Sequence, residues 1–185
     1  MSPSDDLCSV LTEDHHELRQ LLCELDHLTA PEPLWRSLVD LLIAEMIRHS
    51  VAEEAYLYPV VRDRLPEGPR LLDPFMDEHE TIEALVRRLE RHDLPSAELT
   101  RVLAELRRNI CAHMRSEEQK LFPPLTEHLG ADELAALGRK AAEVKAKASV
   151  RQRSSDPLSL TTLIDTGTGL VERVYAYVRG RMYPI

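Results

Sequence analysis

A chain of 185 residues can bury a core of its own, and its 43% hydrophobic content is that of a globular protein. Scarce glycine, six residues in all, and abundant Leu, Ala, Glu and Arg favour helices over a turn-rich β protein. The net charge of -9 argues against a general nucleic-acid binder, and no apolar run approaches the roughly 20 residues that would cross a bilayer.

Helices are predicted near 7–29, 33–64, 70–92, 97–128, 131–148 and 168–181. "TAPEPL", "RLPEGPR" and "DLPSAE" punctuate the first four. Ser96 is placed to cap the fourth helix and Gly130 to close it, while Asp132 and Glu133 suit the first turn of the next. Pro59 and Pro123-Pro124 each remove a backbone donor and should kink or end their helices. The start "MSPSDDLCSV" has neither a basic nor an apolar region of a secretory signal. The scattered Cys8, Cys23 and Cys111 read as reduced thiols, so a cytoplasmic location is expected.

The two halves of this pattern repeat at an offset of 64 residues. Asp14-His15 answers to Glu78-His79, His49 to His113, and Glu53-Glu54 to Glu117-Glu118. Leu18, Leu21 and Leu25 answer to Ile82, Leu85 and Leu89, and Leu57-Tyr58-Pro59 to Leu121-Phe122-Pro123. Two copies are too few for a solenoid, so the expected fold is all-α: an up-down-up-down four-helix bundle built from a duplicated helical hairpin. The bundle is expected over 1–130, an additional helix packed on it over 131–148, and a linker with a C-terminal helix over 149–185.

Each repeated histidine lies on an apolar stripe. His15 shares its face with Leu11, Leu18, Leu22 and Leu25, and His79 with Phe75, Ile82, Val86 and Leu89. His49 and His113 follow Leu42/Met46 and Leu106/Ile110, with Glu53 and Glu117 one turn further on. In antiparallel hairpins, residues equidistant from a turn lie level. The midpoints of consecutive histidines are 32, 64 and 96, all in or at the edge of the breaks, so the four imidazoles share one level of the core. Burying six such groups is costly without partners, and a metal pair is the economical one. Each half offers two imidazoles and one carboxylate. Such mixed ligands with open positions suit non-haem iron, with manganese or zinc less favoured.

The motifs "EDHHEL", "RHSVAEEAYLYP", "DEHETI" and "AHMRSEEQKLFP" together resemble the hemerythrin-like, or HHE cation-binding, family over about residues 7–130. The resemblance implies two iron ions, oxo- or hydroxo- and carboxylate-bridged, held by His15, His49, Glu53, His79, His113 and Glu117. The oxygen-carrying members have a further histidine where this chain has Glu83, and HxxxxD on the last helix where it has Glu117 and Glu118. The symmetric pattern resembles instead the subgroup associated with hydrogen peroxide breakdown and with oxidative or nitrosative stress. A catalase-like enzyme is one expectation; an O2- or NO-binding or iron- or redox-sensing protein without turnover is the other. The expected partners are a small diatomic or peroxide ligand, with no nucleic acid and no membrane, in a monomer or weak homodimer.

Around this site, Tyr56 stands three residues after Glu53 and leans towards the metal, either as ligand or hydrogen-bond donor or as a core tyrosine reaching solvent; its repeat mate is Lys120. Tyr58 and Phe122 are expected to point away and pack. Glu54, Glu118 and His16 are expected at the surface or just behind the ligands, Glu83 in a salt bridge, and His27, His92 and His128 at helix ends. The basic run Arg139, Lys140, Lys145, Lys147, Arg151 and Arg153 is expected to form a solvated face.

Overall fold

A computed structural model describes residues 6–147 apart from residue 92. It contains α1 (Leu7–Leu25), α2 (Pro33–Ala52), a π-helical turn (Glu53–Leu57), α3 (Tyr58–Arg64), α4 (Gly68–Leu89), α5 (Ser96–Lys120), α6 (Phe122–His128) and α7 (Ala131–Lys147). No strand is present among the described residues, and no helix there is long and apolar enough to cross a membrane. The helix expected over 168–181, and the linker before it, lie outside the described residues.

The four long arms of the bundle are α1, α2 continued through the π turn into α3, α4, and α5 continued into α6. They pack as α1 on α2, α3 on α4 and α4 on α5, and α7 lies against α1, α2 and the π turn. Two apolar clusters fill the interior. One joins the later part of α1 (Leu18, Leu22, Leu25) to Trp35, Leu42, Met46, Ile82, Leu89, Leu106 and Ile110. The other joins Leu7 and Leu11 to Leu57, Val61, Phe75, Leu121, Leu125, Leu134 and Ala141. None of the six sequence-picked histidines and glutamates belongs to either cluster, although all six are buried. They form a polar layer between two oily ones.

The breaks differ in detail from expectation. The kink expected at Pro59 takes the form of a π turn just before it: the Tyr58 N–H bonds back five residues to the Glu53 carbonyl, and Pro59 has no N–H with which to restore the narrower ladder. In the second half the helix breaks at Leu121, ahead of Pro123-Pro124, without a π turn. Ser96 does not cap α5. Pro95 takes the cap position and Ser96 is already helical, its carbonyl accepting from Thr100. Leu129 closes α6, and the Gly130 carbonyl serves the next helix by accepting from Glu133 and Leu134. α4 starts two residues earlier than expected, at Gly68. A Cβ there would stand 2.3 Å from the Val61 carbonyl, so only glycine lets the two helices turn this tightly.

Candidate metal centre

The six residues converge. His15 comes from α1, His49 from α2, Glu53 from the first position of the π turn, His79 from α4, and His113 and Glu117 from α5. Their ligand atoms fall into two adjoining groups, His15–His49–Glu53–Glu117 and Glu53–His79–His113, within each of which all the atoms lie within 4.8 Å of one another. Glu53 belongs to both. Its Oε1 stands 2.7 Å from His49 Nε2, and its Oε2 stands 3.1 Å from His79 Nε2 and 3.8 Å from His113 Nε2. Glu117 Oε2 lies 3.3 Å from His15 Nε2 and 3.6 Å from His113 Nε2.

The outer side of every imidazole is tied to a carboxylate. His15 Nδ1 meets Glu118 Oε1 at 2.7 Å, His49 Nδ1 meets Asp14 Oδ2 at 3.3 Å, His79 Nδ1 meets Glu54 Oε1 at 3.3 Å, and His113 Nδ1 meets Glu78 Oε2 at 2.9 Å. A carboxylate at Nδ1 holds the proton there and turns the Nε2 lone pair inward. Each of these four acids is the immediate sequence neighbour of a ligand. On a helix that neighbour sits about 100° round, so it serves the imidazole of the adjacent helix rather than its own. Glu54 and Glu118 thus stand just behind the ligand candidates, one of the two places expected for them, while the signal for Asp14 and Glu78 lies in the repeated pairs Asp14-His15 and Glu78-His79.

Inside the ring of imidazoles, five buried atoms have no hydrogen-bond partner: His15 Nε2, His49 Nε2, Glu53 Oε1 and Oε2, and Glu117 Oε2. They face one another at short range but off the line of a hydrogen bond. Imidazole lone pairs aimed at carboxylate oxygens repel unless a cation stands between them, and leaving such groups unpaired in a dry core costs several kcal/mol each by order of magnitude. The donor set of four imidazole nitrogens and two carboxylates therefore fits a pair of metal ions.

Without metal, protons do the same work. Burial opposes a charge on His49, but the Glu53 carboxylate and Asp14 outweigh it and push its pKa up to about 10. Burial likewise opposes charge on His79 and His113, while the nearby Glu53 carboxylate and the hydrogen bonds to Glu54 or Glu78 raise them to about 9 and about 10. His15 goes the other way, to about 4, through burial and the positive His49 beside it. The two central carboxyls are driven apart: burial and the neighbouring Glu53 push Glu117 well up, whereas His49 and the other imidazoles hold Glu53 well down against its own burial.

The aromatic residues require a correction. Tyr56 is only half-buried and packs with the apolar cluster around Leu57 and Val61, not at the ligands. Tyr58 reaches the centre instead: its hydroxyl lies 2.8 Å from His79 Nε2 and donates to Glu117 Oε1 at 3.3 Å. The cause is the π turn, whose additional residue rotates everything after it by about 100° relative to an unbroken α-helix. Its repeat mate Phe122 also faces inward, there after the break at Leu121 and not a π turn, its ring stacked on His15 with centroids 5.9 Å apart. At this position the two halves differ by one hydroxyl, Tyr58 against Phe122. Burial and the Glu53 and Glu117 carboxylates push the Tyr58 pKa far up, so it stays a phenol and a donor.

The remaining candidates lie outside. His16, His27 and His128 are exposed, and Glu83 pairs with Arg87 on the surface. His92 lies outside the described residues. Arg139 and Lys140 are exposed as expected, but Lys145 turns inward to bond Asp14.

No curated protein and no solved structure matched the chain. The hemerythrin HHE cation binding domain matches it over residues 6–125, a span that holds all six converging ligand candidates and the four acids behind them. A duplicated helical hairpin, a buried layer of imidazoles and carboxylates, and this match lead to one conclusion: the chain belongs to the hemerythrin HHE cation-binding family.

Proposed function

We propose that the chain holds a non-haem di-iron centre on His15, His49, Glu53, His79, His113 and Glu117, and that it disproportionates hydrogen peroxide in oxidative or nitrosative stress defence. The observation that carries the metal reading is the convergence of five buried, unpartnered ligand atoms inside a ring of imidazoles whose outer nitrogens are all occupied. When bound, two iron ions supply the paired redox change by which one peroxide is reduced to two waters and a second is oxidised to dioxygen.

The chain's own contribution is placement, exclusion of water and one proton donor. Glu53 spans both groups, so it would serve both ions when they are bound. The apolar clusters on either side keep the layer dry, which strengthens every electrostatic contact in it. The Tyr58 hydroxyl sits among His79 and Glu117 with its proton retained, where it can donate to an oxygen of bound peroxide. The site has two imidazoles per half and a hydroxyl donor in one half. That composition suits turnover of peroxide better than reversible carriage of dioxygen.

The test is oxygen evolution from peroxide by the iron-loaded chain. The proposal predicts sustained dioxygen release that disappears in Glu53→Ala. A stable adduct with dioxygen or nitric oxide and no release would favour a binding or sensing protein instead.

A further inference from the structure

The four carboxylates behind the imidazoles are not equally held. Asp14 is nearly buried, at 5% exposure, and is clamped from a fifth helix: the Lys145 ammonium of α7 donates to its Oδ1 while its Oδ2 faces His49 Nδ1 at 3.3 Å. Its repeat counterpart Glu78 has a side chain 36% exposed and meets His113 at 2.9 Å, with no basic side chain recorded against it among the described residues. The difference follows from cover. α7 packs on α1, α2 and the π turn, which carry His15, His49 and Glu53, and so it shuts Asp14 away from water. A buried carboxylate facing one imidazole N–H at long range is under-satisfied, and the ammonium completes it.

We propose that Lys145 is a positioning residue for the metal centre, acting through Asp14 to fix the ring plane and Nδ1–H tautomer of His49. On this account α7 is a working part of one half-site. Anything that lifts α7 loosens the ion held by His15 and His49 and leaves the ion held by His79 and His113 in place. The inference rests on the metal-centre reading above.

The experiment loads the full chain with zinc(II), which is redox-silent, and follows its transfer to a chromogenic chelator. Removing a carboxylate directly behind a ligand costs about 10–100-fold in metal affinity. One step further out, Lys145→Met is expected to speed release of one zinc per chain by roughly three- to ten-fold. The second zinc should leave at the wild-type rate. Lys145→Arg keeps the charge and should restore the slow phase, and Lys140→Met, on the exposed face of the same helix, should change nothing. Glu78→Gln is the mirror variant and should speed the other zinc, so that the double variant with Lys145→Met releases both quickly. Lys145 is half-exposed, and thermal melting of the metal-free variant checks that it folds. Unchanged release in Lys145→Met, or equal acceleration of both ions, overturns the proposal. A wild-type chain that takes up no zinc, iron or manganese overturns the metal-centre reading itself, and this inference with it.

Discussion

Metal uptake should expel about three protons per chain at pH 7. The count follows from the electrostatics of the buried layer. His49, His79 and His113, raised to about 10, 9 and 10, are protonated in the metal-free chain. His15, lowered to about 4, contributes none. Each ligand must offer a free lone pair to a metal, so all three protons leave. Removing a proton two to three pH units below its pKa costs about 3–4 kcal/mol, and the three imidazoles together therefore oppose loading by roughly 10 kcal/mol. A structural zinc ion supplies about 10–16 kcal/mol at neutral pH, so a pair of divalent ions prevails. Because protons compete with metal, apparent affinity should climb with pH up to about 9 and level off above about 10. Titration calorimetry of zinc(II) in buffers of different ionisation enthalpy reads the proton count directly. Release of one proton or fewer at pH 7, or an affinity flat between about pH 6 and 9, would refute the reasoning.

The same raised imidazoles bear on stability without metal. A histidine whose pKa is raised on folding contributes stability that is full below its unfolded value of about 6.5 and is lost as pH rises through the folded value. The chelated chain should therefore melt at progressively lower temperature as pH passes through about 9 to 10, while the metal-loaded chain should not; identical melting curves at pH 7 and pH 10 under chelation would count against it. Tyr58→Phe removes a hydroxyl shared by His79 and Glu117 and should cost the metal-free chain about 1–3 kcal/mol in chemical denaturation. It should also slow peroxide turnover by about 100-fold, the scale of a lost proton donor. Tyr56→Phe, away from the centre, should stay within about 0.5 kcal/mol and keep its rate; equal effects of the two substitutions would contradict the placement.

The level of the site was legible because helical periodicity and turn position are both written in the sequence. Equal distances from three turns bring His15, His49, His79 and His113 together, and the structure gathers their Nε2 atoms around the same two carboxylates. What the sequence hid lies downstream of Glu53. Extrapolating an α-helical face to position 56 assumes an unbroken ladder, but the π turn before Pro59 inserts one residue and brings Tyr58 inward. A proline announces that a helix is disturbed, not which residue absorbs the change. Which imidazole each outer carboxylate serves was hidden for another reason. Asp14, Glu54, Glu78 and Glu118 serve histidines on neighbouring helices, and a contact of that kind depends on how helices are set side by side. Lys145 was less visible still, since among basic neighbours on α7 only the packing against α1 selects it.

The central claim is that Glu53 and its partners hold two metal ions in one buried layer. Native mass spectrometry of the chain after anaerobic loading with iron(II) tests it most directly. The account predicts two ions per chain, both lost in Glu53→Ala because Glu53 belongs to both ligand groups, and one ion retained in His15→Ala. A loaded wild type without metal, or a Glu53→Ala variant that still carries two ions, would contradict it.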